Sequence, residues 1–127
     1  MPVKHLFEYA VIRIVPRVDR EEFINVGIIL YCKKPAFLQC LYHLDKEKIR
    51  TLCKDLDCNE VEEYLLSFKR ICEGTKDSGP IGQLDLALRF RWLTATRSTV
   101  VQTSKIHPGF TIDPEETLKK LYGQLVL

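Results

Sequence analysis

Two runs dominate the first third of the chain: residues 8–15 (EYAVIRIV) and 23–32 (FINVGIILYC). Both are dense in β-branched and aromatic side chains, which suit a pleated, half-buried surface, so both read as strands. The polar stretch 16–22 between them, with Pro16 at its start, reads as a hairpin loop. Side chains alternate faces along a strand, so pairing Ile14 with Ile24 aligns Ala10, Ile12 and Ile14 with Ile24, Val26 and Ile28 on one apolar face. The same register sets Arg13 beside Asn25 and Val11 beside Gly27 on the other face. A one-residue slip would exchange the faces, so burial of the apolar set selects the register. Lys33, Lys34 and Pro35 make a second turn, and residues 36–43 (AFLQCLYH) a third strand, which completes an antiparallel meander.

Helical periodicity follows. Asp45 can cap a first helix, with Ile49, Leu52, Cys53 and Leu56 spaced to share one face. Asn59 with Glu62 three residues on has the pattern of a capping box for a second helix. Val61, Tyr64, Leu65, Phe68, Ile71 and Cys72 form its stripe, and Gly74 its stop. Residues 75–83 (TKDSGPIGQ) read as a loop. Residues 84–95 alternate as a strand would but also satisfy a helical spacing, with the balance towards a short helix. Residues 98–104 (STVVQTS) read as a fourth strand. Asp113, Pro114, Glu115 and Glu116 start a last helix: a cap, a proline in the first turn and acids at its positive end. The expectation is an α+β domain spanning residues 1–127. It has a mostly antiparallel sheet, a three-strand meander plus a later fourth strand, with helices packed on one face.

The 127 residues suit one domain, and 46% hydrophobic content is enough for a real core. With 19 basic against 17 acidic residues the net charge is only +2, which excludes a wholly basic, histone-like binder. Electrostatic function must come from local segregation. Five cysteines, Cys32, Cys40, Cys53, Cys58 and Cys72, include no C-x-x-C pair, and His5, His43 and His107 are scattered, so small buried hydrophobes are expected rather than a metal site. The start MPVKH lacks an apolar stretch, and the longest apolar run, around 28–32, is too short for a bilayer. The expectation is a soluble cytoplasmic protein with no membrane association.

One large segregated window exists. Between Leu86 and Ile112 there is no acidic residue, while Arg89, Arg91, Arg97, Lys105 and His107 lie among Ser98, Thr99, Gln102 and Ser104. Arginine's planar fork meets phosphate or carboxylate in a bidentate way, and the hydroxyls supply further donors, so an anion is the expected ligand. The plainer reading is a solvated strand whose arginines pair with carboxylates such as Asp85 or Glu73. Arg13 and Asn25 beside Gly27 form a second polar group. They either join the Arg97 segment in one site or mark an exposed sheet face with a bulge at Gly27. His107, on an expected His107-Pro108-Gly109 turn, is a candidate acid or base but has no nucleophile or carboxylate partner in the sequence. No phosphate-binding glycine loop, nucleophile elbow or zinc-protease motif occurs, and no cofactor is implied.

The pieces YAVIR (9–13), REEFINVG (20–27), RFRWL (89–93), TRSTVVQTS (96–104) and HPG (107–109) resemble DUF3037, a bacterial family of unknown function. Thr96 stands where the family pattern has a proline. The resemblance implies that Arg13, Asn25, Gly27, Arg89, Trp92, Arg97, Ser98, Thr99, Gln102, Ser104 and His107 are motif residues. It also implies a partner with a HipA-like kinase fold, which would make the chain an accessory subunit. The readings are therefore a non-catalytic module that binds a phosphate-bearing ligand or nucleic acid through Arg13, Asn25, Arg89, Arg97, Ser98, Thr99, Gln102, Ser104 and His107, a protein-interaction subunit, and a catalyst using His107.

Overall fold

Five antiparallel strands form one sheet in the computed structural model, which describes residues 3–16, 22–52, 56–96 and 99–127. β1 (His5–Ile14), β2 (Ile24–Cys32) and β3 (Phe37–Tyr42) are the expected meander. Pairing begins in the expected register, Ile14 opposite Ile24 and Arg13 opposite Asn25. A bulge then intervenes. Val26 is the extra residue, so Ile12 faces Gly27, and Val11 faces Ile28 instead of Gly27.

The bulge corrects the expected faces, because one inserted residue reverses the alternation beyond it. Val26 packs with Ile12 and Ile14, whereas Ile28 moves to the opposite side with Phe7 and Val11. Gly27 answers a close approach: a Cβ there would overlap the Leu41 carbonyl and Tyr42 on β3. Both faces of the sheet are consequently apolar, and both are covered.

β1 is longer than either partner on its other side and takes two of them. β5 (His107–Thr111) pairs with its first half and β4 (Val101–Thr103) with its end. The fourth strand is thus shorter than the expected 98–104. His107, expected on a turn, begins a strand opposite Tyr9.

Around the sheet, α1 (Lys46–Leu52) starts at Asp45, whose carboxylate accepts the Lys48 N–H at 3.1 Å. α2 (Cys58–Glu73) is capped by Asp57, which accepts from the Asn59 and Glu60 N–H groups. The expected Asn59/Glu62 box is therefore displaced by a cap two residues earlier. Gly74 ends α2 with φ at 68°, a left-handed conformation that glycine adopts without strain. A 3₁₀ turn (Lys76–Ser78) and α3 (Gly79–Gly82) lead to α4 (Leu86–Leu93), so the ambiguous segment is a helix. Asp85 caps α4 through the Leu88 N–H at 2.9 Å. α5 (Pro114–Leu125) has the expected Asp113 cap and Pro114 start.

Ile49 of α1, Val61, Leu65, Phe68, Ile71 and Cys72 of α2, and Phe90 and Leu93 of α4 pack with Ile12 and Ile14 on one face, whereas Tyr64 of the expected stripe is 52% exposed. α5 departs from the one-face expectation and lies on the other side, its Leu118 against Phe7, Val11, Ile28, Leu30 and Cys32. Each such fully buried side chain contributes roughly 1.5–3 kcal/mol.

Candidate functional site

Register brings three of the expected polar residues together. Arg13 of β1 is opposite Asn25 of β2 on one side and Gln102 of β4 on the other. Directly opposed residues share a face, so Gln102, Arg13 and Asn25 form a row across three strands, on the α5 side of the sheet. His107 lies on that same face through its partner Tyr9. Gln102 and His107 are five positions apart, which strict alternation would put on opposite faces. The joint between β4 and β5 contains one extra residue and restores them to one. Tyr9 and Arg13 are four positions apart on β1, so His107 stands roughly 13 Å along the strand from the row. Its ring packs on Tyr9, with centroids 5.2 Å apart.

The row is tied to its surroundings. Arg13 Nε donates to Asn25 Oδ1 at 3.3 Å, and Asn25 Nδ2 donates to the Leu125 carbonyl at 3.2 Å, where the last turn of α5 leaves carbonyls without helical partners. The Arg13 guanidinium lies over the Phe23 ring, 4.2 Å from its centre, a cation–π contact that orients the fork. Among the described residues Arg13 has no carboxylate within ion-pair distance. Gln102 Nε2 donates to the Thr99 carbonyl at 2.7 Å, and the Thr99 hydroxyl to the Val101 carbonyl at 2.8 Å, so these two hold the turn before β4.

Ser104 and Arg89 have framework roles. Ser104 is buried at the β4–β5 joint, where its N–H donates to the Val11 carbonyl and its hydroxyl accepts from the Val11 N–H, both at 2.8 Å. The hydroxyl thus stands in for the carbonyl that a continuous strand would present. Arg89 is buried on α4, on the face of the sheet away from the row. Its guanidinium packs on Gly74 at the C-terminal end of α2, where a positive charge meets the negative end of the helix dipole. Nη1 reaches the Gly82 carbonyl at 3.5 Å, and Nε has no partner. Arg91 is held by Glu8 in a bidentate pair of 2.9 and 2.8 Å. Arg97 and Ser98, like Cys53, lie outside the described residues.

Beside β4 the turn at Thr99 borders a cavity of about 250 Å³ whose walls are chiefly Tyr64, Phe68, Ile71, Leu93 and Val101. The segment that reads as polar in sequence therefore rims an apolar hollow, with Thr99, Gln102 and Thr103 in its lining, while Gln102 also stands in the row opposite Arg13.

Residues 9–126, nearly the whole chain, match the family described as a protein of unknown function, DUF3037. The chain belongs to the DUF3037 family. No curated protein and no solved structure matches it significantly. In this DUF3037 chain the motif residues divide by role: Gly27, Arg89 and Ser104 hold the frame, and Arg13, Asn25 and Gln102 meet in the row.

Among the described residues, no three His, Cys, Asp or Glu side chains come together as a metal site requires. No helix is long and apolar enough to cross a membrane. Cys32, Cys40, Cys58 and Cys72 are buried thiols without disulfides. A hydrogen bond with Cys40, then burial, pushes the Cys72 thiol well above its ordinary 9.0, and burial raises Cys32. Cys32 and Cys72 are therefore poor nucleophiles near neutrality. Glu8 and Phe23, which fix two of the arginines, carry no sequence signal for that work. They are recognisable only once the strands pair.

Proposed function

We propose that this DUF3037 chain is a non-catalytic, cytoplasmic binding module for a phosphate-bearing ligand, nucleic acid included. One observation carries the reading: Gln102, Arg13 and Asn25 stand side by side on three strands, with the Arg13 fork braced by Phe23 and facing no carboxylate among the described residues. The Nη groups of Arg13 remain to meet phosphate oxygens, and a charge-assisted contact of that kind is worth roughly 1.5–3 kcal/mol. Arg97 and Ser98 belong to the proposal through the sequence alone. The test is anisotropy of a labelled DNA duplex titrated with the protein at several salt concentrations. If about three phosphates are neutralised, log affinity falls with log salt at a slope near −3. Arg13→Ala should weaken binding at least about tenfold. Unchanged affinity in that variant would remove the row from the site.

A second reading, an accessory subunit that docks a partner such as a HipA-like kinase, is favoured by a different feature. Leu6 and Phe110 oppose each other on β1 and β5 and are 56% and 71% exposed, and Ile112 next to them is 60% exposed. Contiguous exposed apolar side chains of this kind mark interaction surfaces. Co-expression with a candidate kinase should give a stoichiometric complex that Phe110→Asp disrupts. A complex indifferent to that change would point elsewhere on the surface.

A further inference from the structure

We propose that a second hollow, distinct from the Arg13 row, binds a small molecule carrying at least two negative charges on phosphate. It lies on the α4 side of the sheet, whereas the row lies on the α5 side, and it is at the opposite end of β1. Its volume is about 430 Å³, the size of an ordinary small-molecule site.

Three separate segments send basic side chains into it. Lys4 and His5 come from the start of β1, Lys33 and Lys34 from the turn between β2 and β3, and Arg91 from α4. Among the described residues the only carboxylate in the lining is Glu8, and both its oxygens are taken by Arg91 at 2.9 and 2.8 Å. Lys4, Lys33 and Lys34 make no ion pair among the described residues. Like charges around one concavity repel each other, and the low-dielectric walls strengthen the field inside it. In a chain of nearly balanced charge, such local segregation favours an anionic occupant.

The floor of the hollow is also fixed. Glu8 sets the plane of the Arg91 guanidinium, and two of its five N–H groups are engaged, which leaves donors for a ligand oxygen. Tyr31, in the lining, is held by stacking on Phe90, with centroids 5.3 Å apart and planes 27° apart. A positioned fork and a stacked aromatic in one lining, with Lys4, Lys33 and Lys34 beside them, suit a phosphate against Arg91 with the organic part over Tyr31. The cations ring one hollow and do not form a track, so a compact phosphate ester or diphosphate fits better than a nucleic-acid strand.

The test is an amide-resolved NMR titration of the full chain with inorganic pyrophosphate at low salt. Saturable shifts are expected at Lys33, Lys34 and Arg91, on a binding curve separate from any response at Arg13 and Asn25. The double variant Lys33→Ala/Lys34→Ala should weaken the binding read at Arg91 at least about tenfold and leave any response at Arg13 and Asn25 as it is. No saturable shift up to about 10 mM pyrophosphate, or equal binding by the double variant, would overturn the proposal. Shifts confined to Arg13 and Asn25 would overturn it too, while supporting the separate reading of the row.

Discussion

Two polar regions flank β1, and they differ in where their hydrogen bonds go. On the α5 side, Gln102, Arg13 and Asn25 are neighbours, but much of their capacity is spent on one another and on backbone carbonyls. On the α4 side, Lys4, Lys33 and Lys34 surround a hollow whose single acid among the described residues is already committed to Arg91. The first region is rich in polar residues and mostly satisfied. The second is unremarkable in sequence and electrostatically unbalanced. Local composition reports polarity, whereas availability depends on the partners that folding supplies.

Framework and ligand roles can be separated by reading stability against binding. The largest effect is expected for Arg89→Ala, which empties a buried position against the end of α2 and should cost about 3 kcal/mol in urea unfolding. Anion binding by the folded variant should be unchanged, and a selective loss of binding at full stability would return Arg89 to the ligand site. Ser104→Ala strands the Val11 N–H at the strand joint and should cost about 1–3 kcal/mol by the same measurement. A neutral result would mean that water replaces the hydroxyl.

A smaller effect concerns the core between the two regions. The Cys72 and Cys32 thiols are raised above 9.0 in the fold, so the unfolded chain loses these protons first as pH rises. Their contribution to stability is present below that value and lost above it. Urea midpoints should therefore fall between about pH 8 and about pH 10. Cys72→Ala should flatten that fall, and an unchanged slope would assign it to other groups. The smallest effect is expected for Lys33→Ala/Lys34→Ala, within about 0.5 kcal/mol of the parent in stability. A large loss would make those lysines part of the frame and end the contrast.

Much of the frame was legible because it is written in local periodicity and caps. The meander, the helical stripe of α2, the Gly74 stop and the Asp113–Pro114 start each depend on residues within a few positions of one another. The site was less legible. Arg13 beside Asn25 followed from parity, but Gln102 and His107 share their face only because of an extra residue at the β4–β5 joint. Arg89 and Ser104 looked like ligand residues because their side chains are polar. Both are buried in the fold, Ser104 on the Val11 backbone and Arg89 against Gly74, placements that neither residue type nor spacing encodes.

The amino-acid order by itself determined an α+β chain, the pairing of Ile14 with Ile24, and an acid-free stretch late in the chain. Alternation, helical repeat and charge are properties of neighbours in sequence. Only the tertiary structure decided that α5 covers the far face, that the bulge at Val26 sends Ile28 there, and that Glu8 claims Arg91 from 83 positions away. Such contacts arise from packing between distant segments, where each side chain's environment is set by what the rest of the fold brings to it.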